Sequence, residues 1–280
     1  LLVANINANQ AIEEINLSVN LVSDKGATVL ASHTHVSKIN LSHNNVGDEG
    51  AEALAKMTEL ASLDLSYCYL LTNKGVLALA KYGTIASLNL SEIKNIDDGI
   101  AALARNKSLR ELKISNVGIG LDTLCALNQT EYRKTPTGQN IRFDRTITSL
   151  DISRNDLNSE DFDYGKLAML GRPPIKELNI SGNYLNDKQL ETLLCASLWG
   201  FDLSSLNVAN NKIHKNSLKA LAATGLTSLD ITGNLALSKS VLDAFKGNKT
   251  ITDLTHGLKG IDKSELDKLM LRNKKEALKQ

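Results

Sequence analysis

The residues with chemistry to offer are few in this chain. Five histidines (His33, His35, His43, His214, His256), three cysteines (Cys68, Cys125, Cys195) and a row of serines are the candidates for ligands, bases and nucleophiles. A zinc hydrolase would carry HExxH on one helix, and a phosphate-binding loop would read GxxxxGK[ST]; neither pattern occurs, nor does a CxxC pair. Ser18, Ser42, Ser66, Ser91, Ser115, Ser153 and Ser181 return at nearly constant spacing. A nucleophile is set apart from its neighbours by an adjacent base. A residue type that returns every repeat belongs to the repeat. The acidic pairs are scattered and converge nowhere. The chain is therefore expected to be no enzyme and to carry no cofactor, no metal and no disulfide.

That periodicity leads to the elements beneath it. In residues 36–55, VSKINLSHNNVGDEGAEALA, the positions Val36, Ile39, Leu41, Asn44 and Val46 follow LxxLxLxxNxL. The first half alternates as a short strand must, and the second places small and apolar residues on one helical face. One strand and one helix cannot bury their apolar faces alone, so copies are needed on both sides. The strand positions Leu17, Leu41, Leu65, Leu90, Ile114, Ile152, Ile180, Val208 and Ile231 mark those copies. Their steps are 24, 24, 25, 24, 38, 28, 28 and 23 residues. A worn further copy starts at Ile251 and Leu254.

On these motifs the chain resembles leucine-rich-repeat proteins. The DxGAxxLA flavour of the helical half is similar to the ribonuclease-inhibitor-like class. The resemblance implies an α/β leucine-rich-repeat solenoid (horseshoe), with parallel strands on the concave face and short helices on the convex face. It covers about ten repeats over residues 12–260, with a helical cap over 261–280, in a single domain 1–280. The short, Asn-, Lys- and Ser-rich repeats resemble cytosolic modules of bacterial effectors. That implies a non-catalytic protein–protein interaction module, a secreted effector acting on a host protein in the host cytosol. Two alternatives stay open: a GTPase-activating or other regulatory repeat protein, and the binding domain of a larger protein.

Lys plus Arg number 32 and Asp plus Glu 31, so a formal charge of +1 gives no sign of a nucleic-acid or membrane-surface binder. No apolar run reaches the ~20 residues of a membrane span. The expected partner is a protein, with no nucleic acid and no membrane, and the chain is expected to be a monomer. Three cysteines without capping pairs read as reduced and cytoplasmic. The chain opens on Leu1, inside what reads as the tail of a cap or repeat, so a preceding segment is expected.

Asp24, Asp48, Asn73, Asp97 and Asp187 stand near the helix starts, where short polar side chains accept hydrogen bonds from free N–H groups. Asn20, Asn44, Asn155, Asn183, Asn211 and Asn234 are expected to satisfy turn backbone inside the solenoid, with Cys68, Ile93 and Val117 in their place elsewhere. The 38-residue step holds about 14 extra residues near Gln129–Arg145, QTEYRKTPTGQNIRFDR. This segment is either a tolerated surface insertion or a partner-contacting loop offering Tyr132, Arg133, Arg142, Phe143 and Arg145. Residues 262–280 read as an amphipathic helix with Leu266, Leu269 and Met270 inward.

Between the motif apolars, side chains point away from the core. Just after the serines comes a variable row: Val19, His43, Tyr67, Glu92, Asn116, Arg154, Gly182, Asn210 and Gly233. The row beyond the Asn position adds Tyr69 and Tyr184. Tyrosine and arginine are enriched in interface hot spots, so His43, Tyr67, Tyr69, Arg154 and Tyr184 are the contact candidates. A partner is expected to span the rim near Tyr67, Tyr69 and Arg154 and to touch the insertion.

Overall fold

The structure, a computed structural model, describes residues 11–32, 35–82, 84–120, 123, 126–127, 131–134, 140–143, 146–157, 175–195, 203–234, 240–257 and 263–279. Two compact units are found, Leu1–Leu150 and Asp151–Gln280.

In the first unit, strands and helices alternate. β1 (Glu14–Asn16) leads to α1 (Asp24–Ala31), β2 (Lys38–Asn40), α2 (Asp48–Ala55), β3 (Ser62–Asp64), α3 (Asn73–Lys81), β4 (Ser87–Asn89), α4 (Asp97–Leu103) and β5 (Glu111–Lys113). Neighbouring strands are parallel and in one register, Ile15 opposite Ile39, then Leu63, Leu88 and Leu112. The repeated leucine pattern requires this register, because a slip by one residue would turn every apolar side chain outward. β6 (Glu131–Lys134) and β7 (Asn140–Phe143) follow, and then β8 (Ser149–Asp151), which reaches the end of the unit.

In the second unit the order is β9 (Glu177–Asn179), α5 (Asp187–Cys195), β10 (Ser205–Asn207), α6 (Lys215–Ala222), β11 (Ser228–Asp230), α7 (Ser240–Phe245), β12 (Asp253–Thr255) and α8 (Lys263–Ala277). Leu178, Leu206, Leu229 and Leu254 are in register across parallel strands. The core of each unit is a ribbon between strands and helices. Strand residues such as Leu41, Leu65, Ile180 and Val208 are fully buried, as are Leu54, Val76, Leu190 and Leu221 from the helices. Each such side chain contributes about 1.5–3 kcal/mol by leaving water.

The Asn ladder forms as expected except at its first member: Asn20, in the first described repeat, bonds Leu17 O and Ser18 O but is exposed. Asn183 Nδ2 donates to the carbonyls of Ile152, Ile180 and Ser181, and its Oδ1 accepts from Asn155 N at 2.7 Å. Asn44 and Asn211 repeat the arrangement. Cys68 keeps one rung, its Sγ donating to Leu41 O at 3.2 Å. Burial pushes the Cys68 thiol above its ordinary range.

The polar residues at the helix starts behave differently from expectation. The helices begin at these residues, and their side chains serve the next repeat. Asp24 Oδ1 accepts from Gly47 N and Gly50 N. Asp48 accepts from Thr72 N, Thr72 Oγ1 and Gly75 N. Asn73 accepts from Gly99 N, and Asp187 from His214 N and Ser217 Oγ. Stacking places one helix start beside the next, so each acid can cap its neighbour.

A second pair of buried amides escaped the sequence reading. Asn106 and Asn248 lie between a helix and the following strand. Asn106 Nδ2 donates to Ala80 O at 3.1 Å, and Asn248 Nδ2 to Ala222 O at 2.8 Å, each in the preceding repeat. Their Oδ1 atoms accept from Ser108 and Leu109 N–H, and from Thr250 and Ile251 N–H. The shared string Asn-Lys-Ser/Thr-Leu/Ile was the available signal.

Helix α8 packs against the segment between α7 and β12, where Arg272 reaches Lys246 O. Leu266 and Leu269 are buried, Met270 is half-buried, and the fully buried Asn273 donates to Ile251 O at 2.7 Å.

The insertion is a hairpin where a loop was expected. β6 and β7 pair antiparallel, Tyr132 opposite Arg142 and Arg133 opposite Ile141. Strand-forming residues on both sides of a stretch holding Pro136 and Gly138 explain it. The repeat strands remain parallel, so this pairing is confined to the insertion. Arg145 lies outside the described residues.

Candidate functional site: the strand-end edge

Each strand ends in the same backbone turn. The residue after the serine has positive φ in repeat after repeat: Val19 (56°), His43 (54°), Tyr67 (60°), Glu92 (70°) and Asn116 (53°) in the first unit. Arg154 (58°), Gly182 (65°), Asn210 (53°), Gly233 (70°) and Gly257 (60°) occupy it in the second. The parallel ladder holds it in place: His43 N donates to Ser66 O at 2.9 Å and Tyr67 N to Ser91 O at 3.0 Å. Left-handed backbone costs a non-glycine residue about 1–3 kcal/mol. Sequence inspection singled out this row for its variability and missed the reason, since φ is invisible to periodicity. Gly182 and Gly233 in that row were the signal.

The residues between the two strand apolars, such as Asn40, Asp64 and Asn89, expected to point away from the core, are largely engaged in closing the strands. Asn40 Oδ1 accepts from Ser42 N, Asp64 Oδ1 from Ser66 N and Asn89 Oδ1 from Ser91 N. Asn89 Nδ2 also reaches Asp64 Oδ2 at 2.9 Å. One outward row was missed, two residues earlier: Glu14, Lys38, Ser62, Ser87 and Glu111. There the Ser87 hydroxyl donates to Glu111 Oε2 at 2.6 Å, and Lys113 Nζ sits 2.9 Å from Oε1. The Ser87 hydrogen bond, and then Lys113, hold the Glu111 carboxyl below its ordinary range against partial burial.

Three of the candidates come together. The His43 and Tyr67 rings stack with centroids 3.8 Å apart and planes 13° from parallel. Tyr69 meets Tyr67 edge-on at 6.2 Å and 84°. His43 and Tyr69 are exposed and Tyr67 half-exposed. Val19 and Leu21, one and two repeats earlier at matching positions, are 76% and 85% exposed, and Leu70 is 61% exposed. This apolar and aromatic edge is followed by a polar one. Asn116 Nδ2 donates to Glu92 Oε2, and Lys94 Nζ to Asn116 Oδ1.

In the second unit, the Arg154 stem lies over Gly182, where an added Cβ would fall 3.0 Å from Arg154 Cγ. Tyr184 is 53% exposed, with Lys212 Nζ 5.4 Å from its ring centre. Tyr132, Arg133, Arg142 and Phe143 lie on the hairpin strands. That hairpin joins the first unit at the opposite edge from the aromatic rings. Three residues after Phe143, Thr146 Oγ1 bonds Asn106 O, and Thr148 N bonds Arg110 O, both ahead of the strands. Among the described residues, no group of three or more His, Cys, Asp or Glu is placed to hold a metal ion. No helix among them is long and apolar enough to cross a membrane.

Residues 32–55, 57–80 and 143–161 match the leucine-rich repeat family. No curated protein matches the sequence. Among solved structures, the chain is similar to one in the crystal structure of the yeast Rad7–Elc1 complex, at 18% identity and a TM-score of 0.57, over 98% of this chain and 67% of that one. It is similar to an internalin, InlF, of Listeria monocytogenes strain 4b F2365, at 21% identity and a TM-score of 0.52, over 89% and 62%. A chain of the TLR13–ssRNA13 complex aligns at 15% identity and a TM-score of 0.51, over 88% and 39%. The chain thus spans less than two thirds of the latter two. At these identities the likeness is one of fold.

Proposed function

We infer that this chain, a leucine-rich-repeat protein, is a non-catalytic module that binds another protein through the strand-end edge of its first unit. One observation carries this reading. His43 and Tyr67 stand at a left-handed position that the second unit fills three times with glycine. Their rings stack at the surface, where the core gains nothing from them. Strain kept at a surface position marks a candidate site of function, and exposed tyrosines are common binding anchors. The module acts as a monomer on a protein, in keeping with its near-neutral charge.

The test is a paired variant, Tyr67→Gly with Tyr69→Ser. Glycine relieves the strained φ while the ring stack is lost, worth about 0.5–1.5 kcal/mol. Stability should therefore stay within about 1 kcal/mol of the parent by chemical denaturation. Capture of the partner from cytosol, read by quantitative mass spectrometry, should fall at least ~10-fold, or about 1.4 kcal/mol. A protein recovered equally by both forms would sink this site.

We propose further that the partner reaches across the outward strand residues toward the hairpin. Replacing residues 129–145 by a short Gly-Ser link should leave the repeats folded and weaken binding. Unchanged affinity would confine the partner to the aromatic edge and make the hairpin a tolerated insertion.

The narrower proposal is that of a bacterial effector acting in a host cytosol. It rests on the short Asn-, Lys- and Ser-rich repeats. A translocation reporter fused to the chain in its source bacterium should give a signal inside infected cells. A reporter that stays with the bacteria would remove it.

A further inference from the structure

Seven Asn-x-Ser/Thr triplets occur in the chain, two of them Asn106-Lys107-Ser108 and Asn248-Lys249-Thr250. In a eukaryotic secretory compartment this triplet accepts N-linked oligosaccharide from a lipid diphosphate donor. Transfer joins the sugar's anomeric carbon to Nδ2, which loses one proton, and the lipid diphosphate leaves. The triplet is read on the extended chain, so later burial gives no protection. Afterwards, the nitrogen must stand in solvent with room for a large hydrated glycan.

Neither asparagine has that room. Asn106 is 8% exposed and Asn248 6%. Each Nδ2 is the donor that ties its repeat to the preceding one, at 3.1 Å to Ala80 O and 2.8 Å to Ala222 O. Each Oδ1 is already engaged by two backbone N–H groups, and Asn248 also by Asn273 Nδ2 at 3.4 Å. A sugar on either nitrogen would lie between two stacked repeats and keep them apart. The triplets at Asn89 and Asn179 differ. Their Nδ2 atoms bond the carboxylates of Asp64 and Asp151, not backbone of a stacked repeat, and both asparagines are half-exposed.

We infer that this chain completes its fold in a compartment that does not transfer oligosaccharide to Asn-x-Ser/Thr, because Asn106 and Asn248 must keep their amide nitrogens bare. The inference is independent of the partner-binding reading, since neither residue belongs to the strand-end edge.

The test expresses the 280-residue chain in cultured mammalian cells behind a cleavable secretion signal. Beside it goes S108A/T250A, which disables both triplets and leaves both asparagines in place. The parent chain should be retained, with glycans on Asn106 and Asn248 by mass spectrometry. The double variant should release at least ~10-fold more protease-resistant protein, and the parent treated with an inhibitor of glycan assembly should do the same. Both forms made in a bacterial cytosol should unfold at similar temperatures. Parent protein secreted in protease-resistant form, with or without glycans at the two positions, would overturn the inference. So would retention that neither treatment relieves, or rescue by the inhibitor alone.

Discussion

Asn183→Ala should lower the stability of the second unit by about 1–3 kcal/mol, the range for removing a buried polar partner. The side chain has no exposed surface. Its Nδ2 serves carbonyls in two successive repeats, Ile152 O at 3.0 Å and Ile180 O at 2.9 Å, and reaches Ser181 O at 3.4 Å. Its Oδ1 takes the Asn155 N–H. Alanine removes these four bonds in a space closed to water: the carbonyls keep one donor each, from Asn155 Nδ2, Asn211 Nδ2 and Arg154 N, and the Asn155 N–H loses the Asn183 oxygen. Repeats contact only their neighbours, so the loss weakens two interfaces at once. Ser181→Ala is the control. The ladder uses the Ser181 carbonyl, which alanine keeps, and the change should stay within about 0.5 kcal/mol. Urea denaturation with matched slopes decides it. Equal losses at Asn183 and Ser181 would mean that the ladder carries no stability.

Gly75→Ala should cost about 2 kcal/mol, although alanine is the better helix former by about 1 kcal/mol. A Cβ at Gly75 would fall 2.4 Å from Leu71 Cδ1, 2.6 Å from Asp48 Oδ1 and 3.0 Å from Asp48 Cα. The Leu71 methyl can turn away. Asp48 cannot, because its carboxylate is held by Thr72 N at 2.9 Å and Thr72 Oγ1 at 2.7 Å, and its backbone starts α2. The two repeats must part, and the bond from Gly75 N to Asp48 Oδ1 goes with them. Gly247→Ala provides the contrast, since nothing lies within 4 Å of its added Cβ. It should be neutral or slightly stabilising, by up to about 1 kcal/mol. A Gly75→Ala protein as stable as the parent would show that the helix starts are loosely packed.

The repeat and its register could be read from the sequence alone. Alternating apolar residues at steps of 23 to 28 allow one parallel pairing that buries every motif leucine, and Ile15, Ile39, Leu63, Leu88 and Leu112 pair in that way. The ladder role of Asn44, Asn183 and Asn211 followed as well, because a polar side chain at a buried turn must meet backbone. Tertiary structure decided whom each side chain serves. Asp24 and Asp48 look like caps of their own helices, and stacking turns them toward the next repeat. Positive φ at His43 and Tyr67, and the contact of their rings, arise only when parallel strands bring residues 24 apart in sequence side by side. The hairpin in the insertion and the burial of Asn106 and Asn248 belong to the same class. Local spacing records which faces a segment can bury; the neighbour against which it buries them, and the hydrogen bonds they share, exist only after the chain has stacked upon itself.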